Sequence, residues 1–144
     1  MPALIRFLYS TGVRISEALS KKLEDINLEK QYAITYKTKN REERIVPISN
    51  SLKKALEQYL YYRNRIHICD IQKPTSLLFI KPNGDACPRG SLKGWFIVLL
   101  KLGGIPYIGD RKGPRVHDLR HTFAVHALEQ IGIFMPVCQS YLLV

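Results

Sequence analysis

"RVHDLRHTFAVH", residues 115–126, reads as a helix: Leu119, Phe123 and, one step beyond, Ala127 recur at helical spacing, and Asp118 suits the positive end of the helix dipole. His117, Arg120 and His121 fall at i, i+3 and i+4, so their side chains converge on one patch near the helix start. Free backbone N–H groups and the dipole make that end favourable for an anion. Two other readings stand beside an anion clamp. HxxxH is also one-face spacing for a two-histidine metal site built on His117 and His121, but zinc needs a third ligand and HExxH chemistry a glutamate that is missing here. The clamp therefore outweighs the metal. A helix whose His121 and His126 merely pack, and whose Arg120 pairs with a carboxylate, fits this motif as well as the clamp does.

Outward from that stretch the chain is mainly helical. A basic loop, GDRKGPR, precedes it, and before the loop a helix opening at Ser91 carries Leu92, Trp95, Phe96, Leu99 and Leu100 until Gly103 and Gly104 stop it. The segment KPTSLLFIKPNGDACPRG holds a short apolar strand, residues 77–80, inside Pro and Gly punctuation. Residues 49–66 space Leu52, Ala55, Leu56, Tyr59 and Leu60 as an amphipathic helix, with Ser49, Asn50 or Ser51 as its cap. YAITYKTKNREERIVPI alternates Tyr32, Ile34 and Tyr36 against Ala33 and Thr35, breaks into a charged tip and resumes as a β-branched run, which predicts a hairpin with a basic tip. ALIRFLYSTGVRISEAL predicts a helix ended by Gly12 and a second helix with Ile15, Ala18 and Leu19 on one face.

A chain of 144 residues fits one domain, and its 46% hydrophobic content supplies a core, so the formal charge of +10 must be carried on the surface. Such a surface attracts phosphate first; double-stranded DNA is the expected partner and an anionic membrane the second choice. No apolar stretch reaches membrane-spanning length and no long apolar signal core opens the chain. Cys69, Cys87 and Cys138 are odd in number and widely spaced, giving neither a zinc pattern nor a disulfide framework, so a reduced, cytoplasmic setting is expected.

Two further stretches carry chemistry. TGVRISEAL puts Arg14 after a glycine turn at a helix start, with Glu17 three residues on and able to orient a guanidinium. KTKNREERIVPI puts Lys39 at a hairpin tip, where a long cation can reach into a groove. In this order, TGVRISEAL, KTKNREERIVPI and HDLRHTFAVH resemble the first-arginine motif, the lysine hairpin and the HxLRHTFA box of the tyrosine recombinase, or phage integrase, catalytic domain, over most of the chain from about Phe7 to Ala127.

The resemblance implies an α+β fold, mainly helical with a small antiparallel sheet, and site-specific DNA recombination or integration through a phosphotyrosine intermediate, with other recombinase protomers as further partners. It implies that Arg14 and Arg120 grip the scissile phosphate with His117 beside them, and that Lys39 protonates the leaving 5′-hydroxyl. Guanidinium forks stabilise charge on the nonbridging oxygens without a metal or cofactor, and none is expected. Glu17 is a holder of an arginine rather than a catalyst, and His121 stands in either a contacting or a supporting role. The family's HxLRH helix leads into a Leu-Gly-His motif and then the tyrosine nucleophile. Here the tail reads PVCQSYLLV, with LLV where LGH is expected. Residues 1–144 therefore read as a partial catalytic domain, lacking material at both ends, with no nucleophile assigned. Tyr141 lies upstream of the family's position, and Tyr32, Tyr36 and Tyr59 fall on faces that look buried. The alternative is a noncatalytic DNA-binding remnant that keeps the phosphate clamp.

Overall fold

The structure, a computed structural model, describes residues 2–36, 43–109 and 112–130. Helix α1, Pro2–Thr11, starts on a proline, whose missing N–H is no loss in a first turn, and buries Ala3, Leu4, Phe7, Leu8 and Thr11 along one face. It stops at Gly12, whose φ of +61° turns the chain away. Helix α2, Ile15–Leu19, follows, and a 3-10 turn, Leu23–Asp25, leads into the sheet.

The sheet has three antiparallel strands in the order β1 (Ile26–Asn27), β2 (Tyr32–Tyr36) and β3 (Glu43–Pro47). The hairpin predicted from the alternating pattern is β2–β3, with Ala33 opposite Val46 and Thr35 opposite Arg44. Its inward face is the small one. Ala33, Thr35 and Val46 are buried, whereas Tyr36 is 45% exposed and Tyr32 half-buried, which corrects the expectation that these tyrosines face the core. The reason is proximity: Lys21 reaches the Ile34 carbonyl and Arg44 reaches Glu17, so only small side chains fit between α2 and the strand.

Helix α3, Asn50–Arg63, is capped by Ser49, whose hydroxyl accepts the Leu52 N–H, and buries Leu52 and Leu56. It ends three residues before the predicted Ile66. At its end the buried Arg63 donates to the carbonyls of Ile71, Leu77 and Leu78 and to Ser76 Oγ, fastening the following loop to the helix. That loop supplies Leu78 and Phe79 to the core, Phe79 edge-on to Phe7 with centroids 5.6 Å apart. The strand expected at 77–80 is reduced to two isolated bridges, Lys22 to Leu77 and Ile80 to Ala86, because Arg63 takes the carbonyls that a second ladder would use.

Helix α4, Arg89–Leu102, begins two residues before the predicted Ser91, behind Pro88, and buries Leu92, Phe96 and Leu100. Helix α5, Asp118–Gln130, is the predicted motif helix, but none of its residues is fully buried; Leu119, with Val116 just before the helix, packs partly against the core. Among the described residues no helix is long and apolar enough to cross a membrane.

Candidate functional site

Arg14 is the residue that opens α2, with extended backbone (φ −69°, ψ 151°). Its own N–H needs a partner because the first turn has none, and Glu17 Oε2 accepts it at 2.9 Å. The other carboxylate oxygen takes the Arg14 guanidinium at 3.0 Å. Glu17 is thus spent twice on one arginine, and a second guanidinium, Arg44 from β3, lies 3.8 Å from Oε2. Burial alone pushes the Glu17 carboxyl up, but the Arg14 N–H, the Arg14 guanidinium and Arg44 outweigh it, and its pKa falls below the ordinary value. The side chains are unequally exposed, Arg14 at 57% and Glu17 at 4%, so a carboxylate in the wall holds a guanidinium that faces outward.

Arg120 arrives from the other end of the chain. Its Nη1 donates to the carbonyl of Gly12 at 2.5 Å across 108 residues, two positions before Arg14. This partner is a neutral backbone carbonyl. Gly12 is also where α5 comes closest to the turn: a Cβ there would lie 2.3 Å from Phe123 Cδ1. The absence of a side chain and the left-handed backbone are both required at that residue.

His117 sits one residue before α5 rather than inside it, and its ring meets that of His121 at 5.2 Å and 81°, so the two imidazoles predicted to share a face do so. Among the described residues no group of three or more His, Cys, Asp or Glu side chains could hold a metal ion. Asp118 turns back to Arg115, accepting its N–H at 2.8 Å and its guanidinium at 3.1 Å. Desolvation pushes the Asp118 carboxyl up, but the Arg115 bonds outweigh it and its pKa is lowered. Beside His117 a cleft of about 250 Å³ runs between α4 and the residues leading into α5, with apolar Leu92, Phe96 and Val116 and basic Arg89 and Arg115 in its lining.

Of the predicted residues, Arg14 and Glu17 lie at the start of α2 just past the Gly12 turn, Arg120 and His121 lie on α5, from which Arg120 reaches that turn, and His117 lies one residue before α5. Lys39 and Tyr141 lie outside the described residues. Sequence reasoning missed Arg44, whose only signal is the hairpin register: directly opposite Thr35, it shares the inward face and so points toward α2. It also missed Arg115, hidden in a loop that reads as generally basic.

A sequence profile described as the Phage integrase family matches residues 2–142. The chain is 35% identical to tyrosine recombinase XerC of Thermodesulfovibrio yellowstonii, covering 97% of this chain and 44% of that protein. It is 31% identical to tyrosine recombinase XerA of Pyrococcus horikoshii, covering 96% and 44%. Among solved structures, a crystal structure of XerA recombinase superposes with a TM-score of 0.74 at 27% identity, over 89% of this chain and 42% of that one. XerH site-specific recombinase bound to its difH substrate in a pre-cleavage complex superposes with a TM-score of 0.68 at 25% identity, over 89% and 35%. The chain therefore spans less than half the length of the curated relatives it matches.

Proposed function

The chain belongs to the phage integrase family, and from that membership we propose that it is the phosphate-gripping part of a site-specific DNA recombinase. Arg14 and Arg120 take the nonbridging oxygens of one phosphodiester, His117 donates beside them, and Lys39 delivers a proton to the leaving 5′-hydroxyl. Glu17 holds Arg14 from behind, and His121 supports His117. The observation that carries this reading is the Arg120–Gly12 hydrogen bond, which joins two motifs 108 residues apart at a site with more guanidiniums than carboxylates. Double-stranded DNA is the proposed partner, together with further recombinase protomers, and no cofactor is invoked.

The chemistry follows from where charge develops. Attack on a phosphodiester spreads negative charge over the nonbridging oxygens, and planar forks fixed in advance stabilise it without reorganising at the moment of reaction. The family's strand cleavage passes through a phosphotyrosine, and no tyrosine here is assigned that role. A noncatalytic DNA-binding function is the second reading. It is favoured by Tyr59, whose pKa burial raises and whose hydroxyl accepts the Ile80 N–H.

Titration of duplex DNA at several salt concentrations tests the clamp. Each phosphate neutralised contributes about −0.9 to the slope of log K against log salt. Arg14→Ala and Arg120→Ala are each expected to weaken binding by about 1.5–3 kcal/mol, the scale of a charge-assisted hydrogen bond. Binding that is flat with salt, or unchanged in both variants, removes the reading. A nicked suicide substrate run on a denaturing gel separates the two functions: a covalent adduct shows a recombinase, and steep salt-dependent binding without an adduct shows a DNA-binding module.

A further inference from the structure

Helix α5 presents Arg120 and yet buries none of its residues completely, so its place on α1 is set by point contacts rather than by a deep apolar seam. One anchor is at Gly12, which receives Arg120 on its carbonyl and Phe123 against its Cα. With Leu119 only partly packed against the core, that anchor fixes a position more firmly than an angle. The second anchor lies three residues back on α1 and six residues on along α5. Tyr9 Oη and His126 Nδ1 are 2.9 Å apart, and their rings meet nearly at right angles, 85°, with centroids 6.1 Å apart. Both side chains are exposed, and the core does not need them.

We propose that Tyr9 and His126 are a positioning pair for the phosphate site: by pinning α5 at a second point, they fix its angle on α1 and hold Arg120 in register with Arg14. This rests on the reading of those arginines as a phosphate clamp. Neither residue touches the DNA in this role; each acts through Arg120. The Tyr9 hydroxyl donates to Nδ1 or accepts from it according to the tautomer of the ring.

The test uses the whole chain with Tyr9→Phe, His126→Ala and His126→Asn, the last carrying an acceptor oxygen near the place of Nδ1. Two readouts are taken. Amide hydrogen exchange in α5, with α3 as the internal control, is expected to quicken between about two- and tenfold in Tyr9→Phe and His126→Ala, the range for one net hydrogen bond, and to return toward the parent in His126→Asn. Duplex DNA binding in the first two variants is expected to lose about 0.9 from the salt slope, one phosphate contact, which a merely looser fold does not change. In an Arg120→Ala background, Tyr9→Phe is expected to add no further loss of salt slope, because the phosphate contact it positions is already gone.

If the parent shows no salt-dependent binding, the clamp reading fails and the inference fails with it. A parent that binds, beside a Tyr9→Phe variant with unchanged exchange and slope, overturns the inference alone. Equal losses of salt slope with and without Arg120 overturn positioning through that residue, and failure of His126→Asn to recover overturns the hydrogen bond as its means.

Discussion

Gly12→Ala probes the junction on which the site depends, and its cost divides into two parts that can be measured apart. The first is conformational: at φ +61° an L-residue is in the left-handed region, which costs about 1–2 kcal/mol. The second is steric. The new methyl group would lie 2.3 Å from Phe123 Cδ1 and 2.8 Å from Cε1, well inside contact distance, so the ring and with it α5 must yield. Overpacking of this kind costs about 1–3 kcal/mol, which brings the expected total to about 2–5 kcal/mol. Phe123→Ala removes the ring and should leave only the conformational part, so a double-mutant cycle is expected to give a coupling of about 1–3 kcal/mol. Urea unfolding followed by fluorescence gives the energies, provided m stays constant across the four proteins. A Gly12→Ala cost that is the same with and without Phe123 would refute the contact. A cost well under 1 kcal/mol in both backgrounds would refute the left-handed turn as well.

Glu17→Gln is expected to cost about 1 kcal/mol at pH 7, a modest figure because Arg14 is more than half exposed and screened by water. Since the folded-state pKa of Glu17 is lowered, its contribution is present above the unfolded value of about 4.3 and is lost as pH falls through the folded one. The gap in urea midpoint between parent and variant should therefore narrow as pH falls from the unfolded value through the folded one; a gap that does not change with pH contradicts the ion pair. Arg63→Met strands the carbonyls of Ile71, Leu77 and Leu78 and the Ser76 hydroxyl, for an expected loss of about 3 kcal/mol or more in thermal or urea unfolding. Arg63→Lys should recover little of it, because an ammonium cannot reproduce a fork aimed at five acceptors, Asn64 Oδ1 included; full recovery would show that charge alone matters there.

The parts of the fold that follow from local periodicity were legible in the sequence. Glycine-ended α1, Ser49-capped α3 and the β2–β3 hairpin stand where pattern and capping chemistry put them. What was not legible depends on neighbours distant in the chain. β1 is two residues long, too short to carry a pattern, and exists only because β2 pairs with it. Tyr36 and Ile45 look like core residues by type, yet Ile45 is 70% exposed, since the face that meets α2 is decided by tertiary approach rather than by hydrophobicity. Arg63 reads as a cation ending a helix, and nothing nearby in sequence announces the Ile71, Ser76, Leu77 and Leu78 acceptors that bury it. At the site the same division holds. Arg14 with Glu17 is a local i,i+3 relation and could be read directly, whereas Arg44 with Glu17 needs the strand register and Arg120 with Gly12 needs the packing of α5 on α1.

The two arginines share a design that their partners make visible. Glu17 is buried, and burying a carboxylate costs free energy that a solvated Arg14 would not require for the helix to form. What the burial achieves is orientation: one edge of the Arg14 guanidinium is occupied from inside while the rest remains available outside. Arg120 repeats the arrangement with a different partner, giving Nη1 to the Gly12 carbonyl. A neutral carbonyl steadies the fork without cancelling its charge, so this arginine keeps its full attraction for an anion. Gly12 serves both residues, since its left-handed turn starts the segment that presents Arg14 and its carbonyl receives Arg120. The two arginines are therefore joined through one backbone residue, which is why a change at Gly12 should act on both at once.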